Sequence, residues 1–347
     1  MKVGIIGTGY MSSMHIPGFK ATGVDVAAVT DINKDNYLAR KGLYGDATFY
    51  DNVDDLLKDP AVDIVDICVI NSFHAEMVKK AIAAGKHIFC EKTLTECEAK
   101  SAELVKLLKN YKKNFQVGYM KRFFPATQKA LELLPEIGEV FSAYIRTYQG
   151  GWVEYDVYNS EYWKPKDGKD SWVRYFAAGG MLNMGGSHML DLMNMFLGEP
   201  QSVYSLNWSP KDYDIEMTSN ALFAMKSGSR VHFEACCTPY AGTGIHKDGW
   251  EEIIELNGRK GKIEIHYTTW NRPGEIAPLL RLYREKDKTC TDFVFKRNNA
   301  FEDEIRYFVE KCQSGEKSVP GVQEGYYVDK IIEACYESAK TNSVVNF

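Results

Sequence analysis

The chain has 347 residues, 42 Lys and Arg against 47 Asp and Glu, and a formal net charge of -5. No apolar run reaches the roughly 20 residues that a bilayer span needs, and the interspersed charges set out no basic face for a nucleic acid. Neither membrane nor nucleic acid is expected as a partner, and at about 100 to 200 residues per domain the length predicts two domains serving a small molecule.

Residues 1 to about 120 alternate short apolar runs with helical patterns, as a parallel sheet built from β-α-β units does. The candidate strands are Lys2 to Ile6, Val24 to Thr30, Thr48 to Tyr50, Asp63 to Ile70, His87 to Cys90 and Asn114 to Tyr119. His74 to Ala84 reads as a helix closed by Gly85, and Glu96 to Tyr111 as the next one. An α/β, doubly wound Rossmann sheet is the economical arrangement.

After residue 122 the pattern changes. A helix follows Pro125, a strand runs from Glu139 to Tyr148, and another helix follows Ser187. Gln201 to Trp208, Met217 to Met225, Arg230 to Thr238 and Glu252 to Leu256 are β-rich and lie close together, which predicts an α+β domain with a mostly antiparallel sheet over 123–347. Ala300 to Gln313 and Gln323 to Lys340 close the chain as helices. The eight cysteines form no C-x-x-C pair and lie mostly in apolar stretches, the usage of reduced, buried thiols. No ligand spacing for a metal stands out, and with no leader pattern at Met1 a cytoplasmic protein is expected.

Val3-Gly4-Ile5-Ile6-Gly7-Thr8-Gly9 is a strand running into a glycine turn, followed by a helical start at Tyr10 and Met11. Gly7 permits the tight turn and Gly9 lets backbone approach a pyrophosphate, which then rests on the helix N-terminus. The third position, usually Gly or Ala, is Ser12. The second strand ends in Asp31, 24 residues after Gly7. A carboxylate there accepts hydrogen bonds from ribose hydroxyls and repels a 2′-phosphate, which favours NAD(H) over NADP(H). Lys34 is the residue that argues the other way, and an N-cap is the alternative role for Asp31.

Cys90-Glu91-Lys92-Thr93 resembles the Glu-Lys-Pro motif of the Gfo/Idh/MocA oxidoreductases, and Ala178 to Leu192 resembles the glycine-rich stretch that precedes their catalytic helix. Asn71-Ser72-Phe73-His74 is similar to the family's loop after the fourth strand, and Met120 to Pro125 to its crossing between domains. The resemblance runs in order over most of the chain. It implies an N-terminal Rossmann domain, a C-terminal domain with a large open sheet, and hydride transfer between a nicotinamide and a carbinol carbon of a sugar, cyclitol or derivative. It places Asn71, His74, Glu91 and Lys92 near the cofactor, implies a homodimer or homotetramer, and suggests that the last helix returns to the first domain.

Lys92, at the carboxyl end of a parallel strand, can stabilise alkoxide character on a reacting oxygen. An exposed strand-end lysine is the bland alternative. His188, at a helix start after Gly179, Gly180, Gly185 and Gly186, is the candidate acceptor for the hydroxyl proton. It could instead merely cap or pack. Two residues depart from the family pattern: Met184 stands where an Asp is usual, and Thr93 replaces the motif's proline. Asn183 or Asp191 could take over support of His188. Aromatic residues between Trp152 and Tyr175 suit either a sugar face or a subunit contact. Arg122, Trp172, Arg174 and Tyr240 are further substrate candidates, and His15 either borders the cofactor or fills the helix-sheet packing. An NAD-retaining glycosidase or lyase and a non-catalytic nucleotide or sugar sensor are the competing functions.

Overall fold

Strand-helix alternation builds the first sheet in a computed structural model that describes residues 1–150, 179–209, 216–238, 242–247, 249–270, 272 and 274–347. β1 (Lys2–Ile6) leads to α1 (Tyr10–Ala21), β2 (Asp25–Thr30) to α2 (Lys34–Arg40), and β3 (Thr48–Tyr50) to α3 (Val53–Lys58). β4 (Ile64–Ile67), α4 (Asn71–Ala83), β5 (His87–Glu91), α5 (Glu98–Leu108) and β6 (Phe115–Gly118) complete it. The strands are parallel in the order β3-β2-β1-β4-β5-β6, the doubly wound order that leaves a crevice outside the strand ends. β4 stops at Ile67, short of the expected Ile70, and α4 starts at Asn71 instead of His74. An apolar run does not tell strand from helix entry, and Ile70, with extended φ and ψ, is the N-cap.

Next come α6 (Pro125–Ile137), β7 (Val140–Gln149), α7 (Ser187–Leu197), β8 (Pro200–Trp208), β9 (Thr218–Met225), β10 (Arg230–Cys237) and β11 (Trp250–Gly258). β12 (Gly261–Tyr267), β13 (Leu279–Arg284), β14 (Thr289–Val294), α8 (Ala300–Ser314), α9 (Val322–Thr341) and β15 (Val345–Asn346) end the chain. Among the described residues the second sheet has nine strands, ordered β14-β13-β12-β11-β7-β10-β9-β8-β15. Only the β7 and β10 pair is parallel. Along β7, Ala143, Ile145 and Thr147 are buried while Tyr144, Arg146 and Tyr148 are half-exposed, the alternation of a sheet with one covered face.

The chain divides into two compact units: Met1–Met120 with Asn299–Asp329, and Lys121–Asn298 with Lys330–Phe347. A linear boundary at residue 122 assigns α8 to the second domain, and the structure places it in the first. The reason lies in α1. A Cβ at Gly18 would stand 2.6 Å from Ile305 Cβ, so the bare glycine lets the two helices meet. Ile305, Phe308 and Val309 are fully buried in one cluster with Val3, Ile5 and Phe89, and each such side chain contributes about 1.5–3 kcal/mol by burial. The first part of α9 belongs to the same unit: a Cβ at Gly325 would touch Leu94 Cβ at 2.9 Å and Val117 Cγ2 at 3.0 Å.

No helix of the described residues is long and apolar enough to cross a membrane. The eight cysteines are free thiols, of which Cys290 is exposed.

Candidate active site

In the first unit the glycine turn is shaped by its surroundings. Gly7 has φ +93°, and a Cβ there would lie 2.6 Å from the Cys68 carbonyl oxygen, so only glycine fits. Gly9, the N-cap of α1, has nothing within 4 Å of a built Cβ, and the first turn carries neither a side-chain cap nor an acidic residue. The helix N-terminus is therefore open to an anion, with Tyr10 exposed and Met11 half-buried beside it. Ser12 is fully buried, donates to the Gly9 carbonyl at 2.9 Å and hydrogen-bonds the Tyr44 hydroxyl at 2.9 Å. The residues present fit a pyrophosphate.

Asp31 ends β2 as a tie for that turn. Its Oδ2 accepts the Thr8 amide at 2.7 Å and the Thr8 hydroxyl at 2.8 Å, and its Oδ1 accepts the Asn33 amide at 2.8 Å. It is not the N-cap of α2; Asn33 is, accepting the Asp35 amide. Lys34 lays its ammonium over the Phe49 ring, 4.8 Å from the centroid.

Lys92 follows the last residue of β5, half-buried, and its peptide bond to Thr93 is cis. The neighbours grip Thr93: Asn71 Nδ2 donates to its hydroxyl at 2.9 Å, that hydroxyl donates to Thr95 O at 3.2 Å, and His74 Nδ1 lies 2.8 Å from its carbonyl. His74 is fully buried, with Nε2 3.0 Å from the Val69 carbonyl, and burial lowers its pKa. Asn71 and His74, expected beside the cofactor, thus act on the turn that carries Lys92. Glu91 is buried as well, turned toward His15 and the Lys92 amide.

His15 is fully buried in the helix-sheet packing, between Asp66 and Glu91. The donor atoms of His15, Asp66 and Cys68 lie within 4.8 Å of one another, a grouping not visible in the spacing of the sequence. Nδ1 of the imidazole lies 3.0 Å from Asp66 Oδ2, and the Cys68 thiol, whose pKa burial pushes up, donates to Asp66 Oδ1 at 3.3 Å, so the three side chains form one hydrogen-bonded cluster.

In the second unit His188 stands half-buried in the first turn of α7, after a π-helical turn at Leu182–Gly186. Its glycines are packing residues. A side chain at Gly180 would run into the Glu216 carboxylate, one at Gly185 into the Gln149 amide, and one at Gly186 would lie 2.8 Å from the Met181 carbonyl. Glu216, which no sequence pattern marked, organises this stretch. It accepts the Leu182 amide at 2.7 Å and the Tyr336 hydroxyl at 2.9 Å, and burial pushes its pKa up to about 7. Asn183 donates to the same Tyr336 hydroxyl at 3.1 Å.

Asp191 is clamped by Arg122, whose Nε and Nη2 each donate at 2.7 Å. Both are buried, so the pair anchors α7. Lys121 is likewise paired with buried Glu252, which also accepts the Thr147 hydroxyl at 2.9 Å. Trp172, Arg174 and Tyr240, with the aromatic segment from Trp152 to Tyr175, lie outside the described residues.

Two family models account for nearly the whole chain: the oxidoreductase family NAD-binding Rossmann fold over residues 1–119, and the matching C-terminal alpha/beta domain over residues 135–347. The chain belongs to the Gfo/Idh/MocA oxidoreductase family. It is 25% identical to D-xylose 1-dehydrogenase (NADP(+)) 2 of Haloferax volcanii, covering 99% of both chains. It is 24% identical to inositol 2-dehydrogenase of Salmonella typhimurium, covering 99% of this chain and 95% of that one. Among solved structures, levoglucosan dehydrogenase in complex with NADH and levoglucosan superposes with a TM-score of 0.81 at 20% identity, covering 100% and 99% of the two chains. This Gfo/Idh/MocA member is a dehydrogenase-type oxidoreductase with an NAD-binding fold.

Proposed function

We propose that the protein is an NAD(H)-dependent dehydrogenase of a sugar, cyclitol or related polyol. The observation that carries the reading is the placement of Lys92: at the carboxyl end of β5, on a turn held by Glu91, Asn71 and His74. Relatives named for D-xylose and inositol support the substrate class. A bound nicotinamide would accept the hydrogen and electron pair leaving the carbinol carbon. Lys92 hydrogen-bonds the reacting oxygen and stabilises its developing negative charge. His188 takes the hydroxyl proton on an imidazole nitrogen, and returns it when the reaction runs as a reduction.

Asp31 supports NAD(H) over NADP(H), because its carboxylate opposes a 2′-phosphate and the Lys34 ammonium is turned onto Phe49. A homodimer or homotetramer is supported by the outer face of the second sheet, where Leu206, Trp208 and Leu222 are exposed. Lys92→Ala and His188→Ala, each assayed with D-xylose and inositol at the nicotinamide absorbance, are expected to lose turnover while NADH fluorescence titration still shows binding. Wild-type turnover in either variant would remove that residue from the chemistry.

A further inference from the structure

One buried imidazole joins helix α1 to the residue that carries the chemistry. His15 Nδ1 lies 3.0 Å from Asp66 Oδ2, and its Nε2 lies 3.0 Å from Glu91 Oε1. Phe89 meets the ring edge-on at 5.1 Å between centroids, and Phe301 lies at 6.2 Å. A neutral imidazole has a single N–H, so two carboxylate contacts require a second proton, on the ring or on one carboxyl. Burial opposes a charged ring here, yet Asp66 and Cys68 lift the His15 pKa well above its ordinary value. Glu91 passes the contact on: its Oε2 accepts the Lys92 backbone amide at 3.1 Å. Strand β6 leaves space for this carboxylate, since a Cβ at Gly118 would come within 3.0 Å of Glu91 Oε1.

We propose that His15 is a positioning residue: through Glu91 it holds the Lys92 backbone in register with the glycine turn at the head of the same helix α1. The two parts of the first unit that must agree in space are the turn suited to a pyrophosphate and the ammonium suited to a reacting oxygen. His15 is six residues beyond Gly9 on α1, and Glu91 immediately precedes Lys92. The hydrogen bonds from ring to carboxylate to amide make one continuous link between them. This inference rests on the role proposed for Lys92.

The test uses the full chain and the variants His15→Gln and Glu91→Gln, which attack the link from either side. Ile16→Ala serves as a packing control, since Ile16 is a buried apolar neighbour on α1. Three quantities are read: NADH affinity by fluorescence, kcat and KM with D-xylose or inositol, and the rate at which acetic anhydride labels Lys92, followed by peptide mass spectrometry. In the two link variants kcat is expected to fall about 10- to 100-fold, with NADH affinity held within about threefold and the Lys92 labelling rate altered. The control is expected to lower the melting temperature without changing Lys92 labelling. Wild-type labelling and kcat in folded His15→Gln and Glu91→Gln would overturn the proposal, as would an equal labelling change in Ile16→Ala. Should Lys92→Ala keep its turnover, the chemistry assigned to Lys92 fails, while the labelling rate still decides whether His15 holds that residue.

Discussion

The Asp329 carboxylate on α9 accepts the Thr95 backbone amide at 2.8 Å, three residues beyond Lys92. Thr95 and Ser101 both turn their hydroxyls onto the same oxygen. One buried side chain thus fastens the segment after β5. Asp329→Ala strands the Thr95 amide in the interior and leaves the Thr95 and Ser101 hydroxyls to the Cys97 carbonyl and each other, and is expected to cost about 1–3 kcal/mol, read as a lower melting temperature. Asp329→Asn, which keeps an acceptor, should lose less.

Two buried carboxyls give the protein a pH signature. Burial pushes Asp329 and Glu216 each up to about 7. A carboxyl whose pKa is higher folded than unfolded contributes stability that is complete below about pH 4 and is lost as pH rises through about 7, on the order of 3 kcal/mol per group. Melting curves between pH 5 and 8 should therefore fall less steeply for Asp329→Asn and Glu216→Gln than for the parent chain. Equal slopes would contradict the assignment.

Gly7 and Gly9 should separate folding from binding. Alanine at Gly7 meets the Cys68 carbonyl at a positive φ, and is expected to cost about 1–3 kcal/mol. Alanine at Gly9 meets nothing and should leave the melting temperature unchanged while weakening NADH binding about tenfold or more. If Gly9→Ala binds NADH as the parent does, the pyrophosphate does not approach there.

Arg122→Ala leaves the Asp191 carboxylate buried without its guanidinium, a loss of about 3–5 kcal/mol. Arg122→Ala with Asp191→Asn should recover part of it. A double-mutant cycle by urea denaturation measures the coupling, and additive effects would show that the bidentate pair does not anchor α7.

Asp31→Ala should narrow the preference for NADH over NADPH, which is expected to be about tenfold or more in the parent chain. Parallel fluorescence titrations decide it. Equal affinity of the parent for both cofactors would rule out discrimination by this carboxylate.

Much of the first sheet was legible because its information is local. Apolar runs of strand length, glycines at a turn and a carboxylate closing β2 are all adjacent in the chain, and they led to the parallel sheet and the glycine turn. The misplacements follow from contacts that no window contains. α8 reads as a helix of the second domain by its position, and its place is decided by Gly18, 287 residues before Ile305. Asn33 takes the N-cap that Asp31 could have taken, because Asp31 is drawn back onto Thr8. β12 carries an alternation through Ile263 and Ile265, but β12, β13 and β14 are defined by their pairing partners as much as by their own patterns. Glu216 and the carboxylate partners of His15 are hidden for the same reason: a carboxylate beneath Gly180 and an imidazole between two carboxylates are relationships across the fold, and the residue types alone do not announce them.

The first unit is sewn from two stretches of chain, Met1–Met120 and Asn299–Asp329. A ribosome adding roughly 5–20 residues per second finishes its six strands long before it supplies α8. Through that interval Val3, Ile5, Ile16 and Phe19 wait for Ile305, Phe308 and Val309, and the nascent sheet must carry an uncovered apolar face while β7 to β14 of the second sheet are made. Cutting the gene after residue 120 would freeze the chain in that half-clothed condition, so an isolated nucleotide-binding fragment is a poor substitute for the intact protein.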